Sequence, residues 1–368
     1  MRKFYIVFLI HFFMSSLLCN SFSKTADKPI ISLNALPITG FCSKGFEDFD
    51  KVIPKFLTKR GLPGATLAIM KNGKLLVKRG YGWSNKNKTK AILPDDFLRI
   101  ASITKVFTII AIKNLIKTNK ISYETPIIDF LNNQAAIADQ NIKKITIFHL
   151  LFHQGGWNSE ESLDPLLSLG MITSKLHKDI ENLTPHDVLK YAIENIELDF
   201  VPGTSTNYSN LGYSVLGRII EKAAKINYLA FINNIICKPL NIKVEIGPSR
   251  LSGKSPSEID FYQSHDLDLK SDAISLKVAD ASFGLITSSP NICKVLNSYW
   301  IDGDKRLTNE QRQLIITGSM PGSMALARQR YSGASIVILI NGRDNNNPEM
   351  DNENLKQLID NTANKCGI

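Results

Sequence analysis

Ser102 and Lys105 stand three residues apart in Phe97-Leu98-Arg99-Ile100-Ala101-Ser102-Ile103-Thr104-Lys105, a separation that places two side chains on one face of a helix. A serine hydroxyl becomes an effective nucleophile only when a neighbouring group removes its proton, and an amine one turn away is placed to do so. The apolar run Val106, Phe107, Ile109, Ile110, Ile112, Leu115, Ile116 predicts a buried helix opening at this serine. The positive end of its dipole would favour negative charge developing there. The spacing alone carries little, because Ser21-Phe22-Ser23-Lys24 repeats it and an isolated pair is ordinarily an N-cap serine with a surface lysine. A second element adds weight. Asn207-Tyr208-Ser209-Asn210 follows the turn Pro202-Gly203 and precedes the helical spacing of Val215, Leu216, Ile219 and Ile220, and Tyr208 opens the only Tyr-x-Asn of the chain. Singly, Tyr208 reads as a packing tyrosine and Asn210 as an N-cap. Together with a lysine, the phenol is expected to have a lowered pKa and to move the serine proton towards a leaving group.

These two motifs have neighbours in a consistent order: Leu62-Pro63-Gly64-Ala65, Asn72-Gly73-Lys74, Arg79-Gly80-Tyr81-Gly82, His149-Leu150-Leu151-Phe152-His153, Gly155-Gly156-Trp157, Lys238-Pro239-Leu240 and Thr317-Gly318-Ser319. The set resembles the serine hydrolases related to class C β-lactamases and penicillin-binding proteins, over most of the chain after residue 45. The resemblance implies an α+β, β-lactamase/transpeptidase-like fold, with an antiparallel sheet from both chain ends flanked by helices and an inserted, mainly helical lobe. It implies an acyl-enzyme on Ser102, with Lys105 and Tyr208 sharing the proton work and the order of transfer left open. Asn210, Gln154, Thr317, Gly318 and Ser319 would contact substrate, and the amides of Ser102 and Ser319 would hold the oxyanion. No cofactor and no metal are implied. His149 and His153 have the spacing of a metal pair, but the third ligand and the base of a hydrolytic zinc site are not evident, and the family carries such histidines structurally.

Two departures from the family pattern stand out. Its third element carries a Lys or His, then Thr or Ser, then Gly, on an inner strand; here Ile316 precedes Thr317-Gly318. Recognition of a free carboxylate is thereby weakened, which favours esters or small amides over β-lactams and peptidoglycan stems, unless Arg312, Arg328 or His265 supplies the charge. Between Leu285 and Gly318 the sequence shows one helical segment, 291–300, and not the strand that the family usually places beside the third motif, so one rim of the cleft is shortened. A cleft of the same shape that binds ligand without efficient turnover is the alternative reading.

Met1-Arg2-Lys3 followed by an apolar run to Leu18 reads as a secretory signal peptide over 1–23, with a lipoprotein reading through Cys19 ranked second. The expected organisation is then 24–101 with 310–368 as a discontinuous sheet domain and 102–309 as the helical lobe, in a periplasmic or secreted protein. The formal net charge is +10, with basic residues scattered among acids, which argues for a solvated surface and against nucleic-acid binding. The expected partner is a small-molecule or peptidoglycan-like substrate, with no stable membrane insertion after signal removal; nothing in the sequence speaks to oligomeric state. Periodicity predicts a helix over 45–60, hairpins at Asn72-Gly73 and Ser332-Gly333, helices over 110–117, 185–195 and 214–224, and a closing helix over 354–364. Because the first and last helices of such a fold share one sheet face, a Cys42–Cys366 disulfide is expected, with Cys237 and Cys293 as buried small apolar groups.

Overall fold

The computed structural model describes residues 36–130, 136–159, 164–262, 273–307, 311–343 and 348–368. The signal-peptide segment with Cys19 and its Ser-x-x-Lys, and also His265, lie outside the described residues. Strands β1 (Ile38–Cys42), β2 (Gly64–Lys71) and β3 (Lys74–Gly82) come from the beginning of the chain, and helix α1 (Asp48–Arg60) separates the first two. Asn72 and Gly73, both at positive φ (51° and 76°), make the tight β2–β3 connection that their sequence predicts.

The short strand β4 (Leu98–Arg99) leads into helix α2 (Thr104–Lys117). Helices α3 (Ile147–Leu151), α4 (Gly170–Leu176), α5 (Pro185–Asn195), α6 (Asn210–Ala224), α7 (Tyr228–Ile232) and α8 (Lys238–Leu240) follow. Then come β5 (Glu245–Ile246), β6 (Leu285–Thr287), α9 (Ser289–Ser298), β7 (Leu314–Met320), β8 (Ser323–Gln329), β9 (Ala334–Ile340) and α10 (Pro348–Lys365).

The main sheet has the order β1-β3-β2-β9-β8-β7, and its pairs are antiparallel, so the two chain ends interleave in one sheet. Apolar residues on both faces of β2, β8 and β9 explain why both sides are covered. Ile53 and Leu57 of α1 and Leu355 and Ile359 of α10 pack over Leu67, Ile69, Ile336 and Ile338. On the opposite face, Ala68, Val337 and Leu339 join a larger core with Cys293 of α9 and the apolar side chains of α2 and α6. Cys237 and Cys293 are buried as small apolar groups. Cys42 and Cys366 flank the first layer, half-buried, but no disulfide joins them; the Cys42 thiol is instead turned towards the Ser43 carbonyl, 3.6 Å away.

The third motif lies on an edge strand rather than an inner one, since among the described residues β7 pairs with β8 alone. Alternation along β7 turns Ile316, Gly318 and Met320 towards the larger core and Thr317 and Ser319 to the other side. Gly318 therefore meets the turn that carries Ser102. A Cβ there would fall 2.5 Å from the Ile100 carbonyl oxygen and 3.1 Å from the Ser102 nitrogen. Only a residue without a side chain lets strand and turn approach this closely. Gly318→Ala is expected to destabilise the protein by about 1–3 kcal/mol in urea denaturation.

Candidate active site

Ser102 sits in a single 3₁₀ turn, Ala101–Ile103, just ahead of α2, rather than in the α-helix itself. Ala101 takes φ +46°, the left-handed region that side-chain-bearing residues rarely adopt. The turn is held from several sides. Arg99, almost fully buried, donates from Nε to Glu258 Oε1 at 2.5 Å and from its two terminal nitrogens to the carbonyls of Leu251 and Gly253 at 2.7 and 2.6 Å. The Ser323 hydroxyl donates to the Arg99 carbonyl, and the Ile100 amide donates to the Leu285 carbonyl. A strained residue persists only in such over-determined surroundings, and its effect here is to leave Ser102 half-buried and reachable between buried neighbours.

Lys105 rises one turn later and is 2% exposed. Its Nζ meets three oxygens: Asn210 Oδ1 at 2.8 Å, the Ser282 carbonyl at 3.0 Å and Ser102 Oγ at 3.4 Å. Tyr208 meets the same serine, its hydroxyl 2.7 Å from Ser102 Oγ. Ser209, not Asn210, is the N-cap of α6, its hydroxyl accepting the Gly212 amide at 3.1 Å. That cap fixes the residue on each side of it, so Tyr208 reaches Ser102 while Asn210, the first residue of the helix, reaches Lys105.

The expectation that the lysine would acidify Tyr208 does not hold. Burial, followed by the negative charge of Asp164, pushes the phenol well above its usual range, against the lowering effect of its hydrogen bond with Ser102. Lys105 Nζ lies over the face of the Tyr208 ring, 4.7 Å from its centroid. The residue brought into the working range is Lys105 itself. Desolvation lowers its ammonium from 10.5 to about 7, with Asp164 pulling the other way. The two shorter contacts of Lys105 are donations to Asn210 Oδ1 and the Ser282 carbonyl, and Ser102 Oγ is the third and longest.

His153 backs this arrangement. It takes φ +57°, and its ring lies 4.8 Å from that of Tyr208 and 5.1 Å from that of Tyr213. Its Nδ1 accepts the Ser209 amide at 3.2 Å, and burial, with the Lys105 charge adding, pushes its pKa down to about 3. His149 Nδ1 accepts the Thr146 amide at the start of α3. His153 thus holds the chain beside Tyr208, while His149 caps the start of α3. Gln154 Nε2 donates to Thr206 Oγ1 at 3.1 Å, which places it on the approach to Tyr208. Trp157 is buried in the core.

At the third motif, Ile316 is buried, and Thr317 and Ser319 turn their side chains to the face of β7 opposite Gly318. Arg312 pairs with Asp302 and Asp304, and Arg328 with Asp360, so neither fills the place of the missing cation. The cation that reaches this motif is Arg343, with Nη1 3.1 Å from Ser319 Oγ and a pKa lowered by burial to about 10. In sequence, Asn341-Gly342-Arg343 resembles the family's terminal asparagine element or else a plain turn, and neither reading marks the arginine. Nor does any motif mark Asp164 or the Ser282 carbonyl.

A family model described as Beta-lactamase matches residues 49–330. The chain belongs to that family. Protein flp of Staphylococcus aureus (strain N315) is 32% identical over 196 residues, 53% of this chain and 37% of that protein. Esterase EstB of Burkholderia gladioli is 26% identical over 198 residues, 53% of this chain and 49% of that protein. The chain therefore spans half or less of the length of these relatives. Among solved structures, D-amino acid amidase from Ochrobactrum anthropi SV3, complexed with D-phenylalanine, superposes with a TM-score of 0.68 at 18% identity, over 86% of this chain and 99% of that one. The octameric penicillin-binding protein homologue from Pyrococcus abyssi superposes with a TM-score of 0.63 at 21% identity, over 80% and 73%. These likenesses show the β-lactamase/transpeptidase-like fold, and members of this family are serine hydrolases.

The charge state of Lys105 has two readable consequences. Ser102 acylation is expected to rise through about pH 7 as the amine loses its proton. For stability, the folded value near 7 lies below the 10.5 of an unperturbed lysine, so the unfolded chain binds the proton more readily between those values. This contribution is complete above pH 10.5 and is lost as pH falls towards 7. Urea denaturation across that window should show the slope in the wild type and a flatter profile in Lys105→Met.

Proposed function

We propose that this protein hydrolyses esters and small amides through an acyl-enzyme on Ser102, and that it does so outside the cytoplasm. The observation that carries the reading is the meeting of an amine and a phenol on one serine oxygen, at 3.4 and 2.7 Å. Neutral Lys105 takes the hydroxyl proton as Ser102 Oγ bonds to the substrate carbonyl carbon. The resulting oxyanion lies against the amides of Ser102 and Ser319, which the close approach at Gly318 draws together. Tyr208, a neutral phenol on the same oxygen, gives its proton to the leaving alkoxide or amine and regains one from Lys105. Water then attacks the acyl carbon and passes its proton to the same pair, which returns one to Ser102 Oγ as the Oγ–acyl bond breaks and the acid leaves.

A preference for neutral acyl groups is supported by Ile316, which puts an apolar side chain where the family pattern has a cation. The names of two similar proteins, an esterase and a D-amino acid amidase, cover these two kinds of acyl bond. The charged start and apolar run of residues 1–18 support export.

The test is turnover of an activated ester and acylation by a fluorescent penicillin, each beside Ser102→Ala and Tyr208→Phe. Expected are a burst and steady release from the ester, slower reaction with the penicillin, abolition by Ser102→Ala, and a loss of about 10²–10⁴-fold in Tyr208→Phe. Ester hydrolysis unaffected by Ser102→Ala would overturn the mechanism. A Ser102 adduct that forms and never releases would make the protein a binder.

A further inference from the structure

Asp164 is buried at 5% exposure, in the interior behind Lys105, and it does not touch Ser102. Its Oδ2 accepts from Asn210 Nδ2 at 2.9 Å and from the Ser159 hydroxyl at 2.8 Å, and its Oδ1 accepts the Leu166 amide at 3.0 Å. The Ser159 oxygen in turn accepts the Asn210 backbone amide at 3.3 Å. An asparagine amide has an acceptor end and a donor end, and it can be turned either way round. Asn210 is clamped between an acceptor-only carboxylate and a lysine that donates to it. One orientation satisfies both, with the nitrogen on Asp164 and the oxygen on Lys105.

We propose that the Asp164 carboxylate is a positioning residue of this hydrolase, orienting the Asn210 amide and through it holding the Lys105 side chain against Ser102. The inference rests on the acyl-enzyme reading and extends the machinery by a residue that never meets substrate. Without the carboxylate the Asn210 amide can turn over, presenting N–H groups to Lys105 and driving Nζ from the serine. The buried negative charge also opposes the desolvation that favours loss of the Lys105 proton. The other groups facing Lys105 are the phenols of Tyr208 and Tyr213, on the loop before α6 and on α6, and the neutral His153 imidazole after α3. From the stretch before β6 comes the Ser282 carbonyl, and Asp280 nearby in sequence is committed to Arg218 at 2.7 Å. Among these, Asp164 is the group linked to Lys105 through a single intervening amide.

The experiment compares wild type, Asp164→Asn and Asp164→Glu in two readouts. The first is the pH profile of kcat/KM for an activated ester, with kcat and KM separated and melting temperature followed in parallel. The second is the titration of Lys105 by NMR in lysine-labelled protein, assigned with Lys105→Met, which needs no turnover. In Asp164→Asn, the acidic limb and the Lys105 titration should both move to lower pH, by about one unit. At the plateau kcat should fall roughly 10-fold or more with KM little changed. Asp164→Glu, which keeps the charge, should keep the Lys105 titration within a few tenths of a unit of wild type.

A Lys105 titration unmoved in Asp164→Asn, or a loss of activity that simply follows melting temperature, would overturn the proposal. If Asp164→Asn does not fold, Asp164→Glu decides, since a titration displaced as far as one unit despite the retained charge would also overturn it. Failure of the acyl-enzyme reading is seen separately, as wild-type hydrolysis that Ser102→Ala does not abolish.

Discussion

The structure depends on keeping one lysine amine in a nearly waterless interior and still in contact with a serine hydroxyl. Removing an ammonium from water costs several kcal/mol unless its hydrogens are met. Here Asn210, the Ser282 carbonyl and Ser102 meet them, from three separate stretches of the chain. The same burial that makes Lys105 expensive to charge brings its pKa down to about 7, which the proposed mechanism uses. Position and reactivity therefore have one cause. Any change that admits water to this interior would weaken both.

The second constraint is backbone proximity. Ser102 and Ser319 can offer amides to one oxyanion only if an edge strand lies directly against the turn that carries the nucleophile. Gly318 permits the contact, the Arg99–Glu258 pair anchors the strand leading into the turn, and Ala101 bears the strained conformation that results. The edge position of β7 has its own use. A strand with one sheet neighbour leaves alternate backbone groups outside the ladder, where an acyl substrate can meet them. A basic side chain at 316 would have faced the same junction; Ile316 makes it apolar, while Arg343 brings charge to the other side of the strand, at the Ser319 hydroxyl.

Support for the proton-transfer pair is graded outwards. Ser209 caps α6 and sends Tyr208 and Asn210 to different partners, His153 accepts the amide of the capping residue, and Asp164 sits on the far side of Asn210. Burial leaves His153 neutral, so it supports Tyr208 without adding a positive charge beside Lys105. A charged imidazole there would compete with the protonation of the lysine. Each of the two histidines spaced like a metal pair accepts a backbone amide at Nδ1, from Thr146 at His149 and from Ser209 at His153.

Local rules are strong where chain neighbours decide. The Asn72-Gly73 turn, the periodicity of α1, α5 and α6, and the hairpin of β8 and β9 all follow from residues close in sequence, and so does the one-turn spacing of Ser102 and Lys105. Tyr208 and Asn210 were legible because they form a compact motif with family resemblance behind it. Asp164, Ser282 and Arg343 were not, because a lone aspartate, a backbone carbonyl and an arginine after a strand have no local signature; their meaning is a distance to residues tens to hundreds of positions away. The same holds for the direction of the two pKa shifts. Sequence put a phenol near a cation and implied an acidic tyrosine, but desolvation is a property of the folded interior, and it raised the phenol and lowered the amine instead. Residue types and spacing determined which groups could do the chemistry, and the tertiary structure alone decided how close they come and how deeply each is buried, because both depend on segments far apart in the chain.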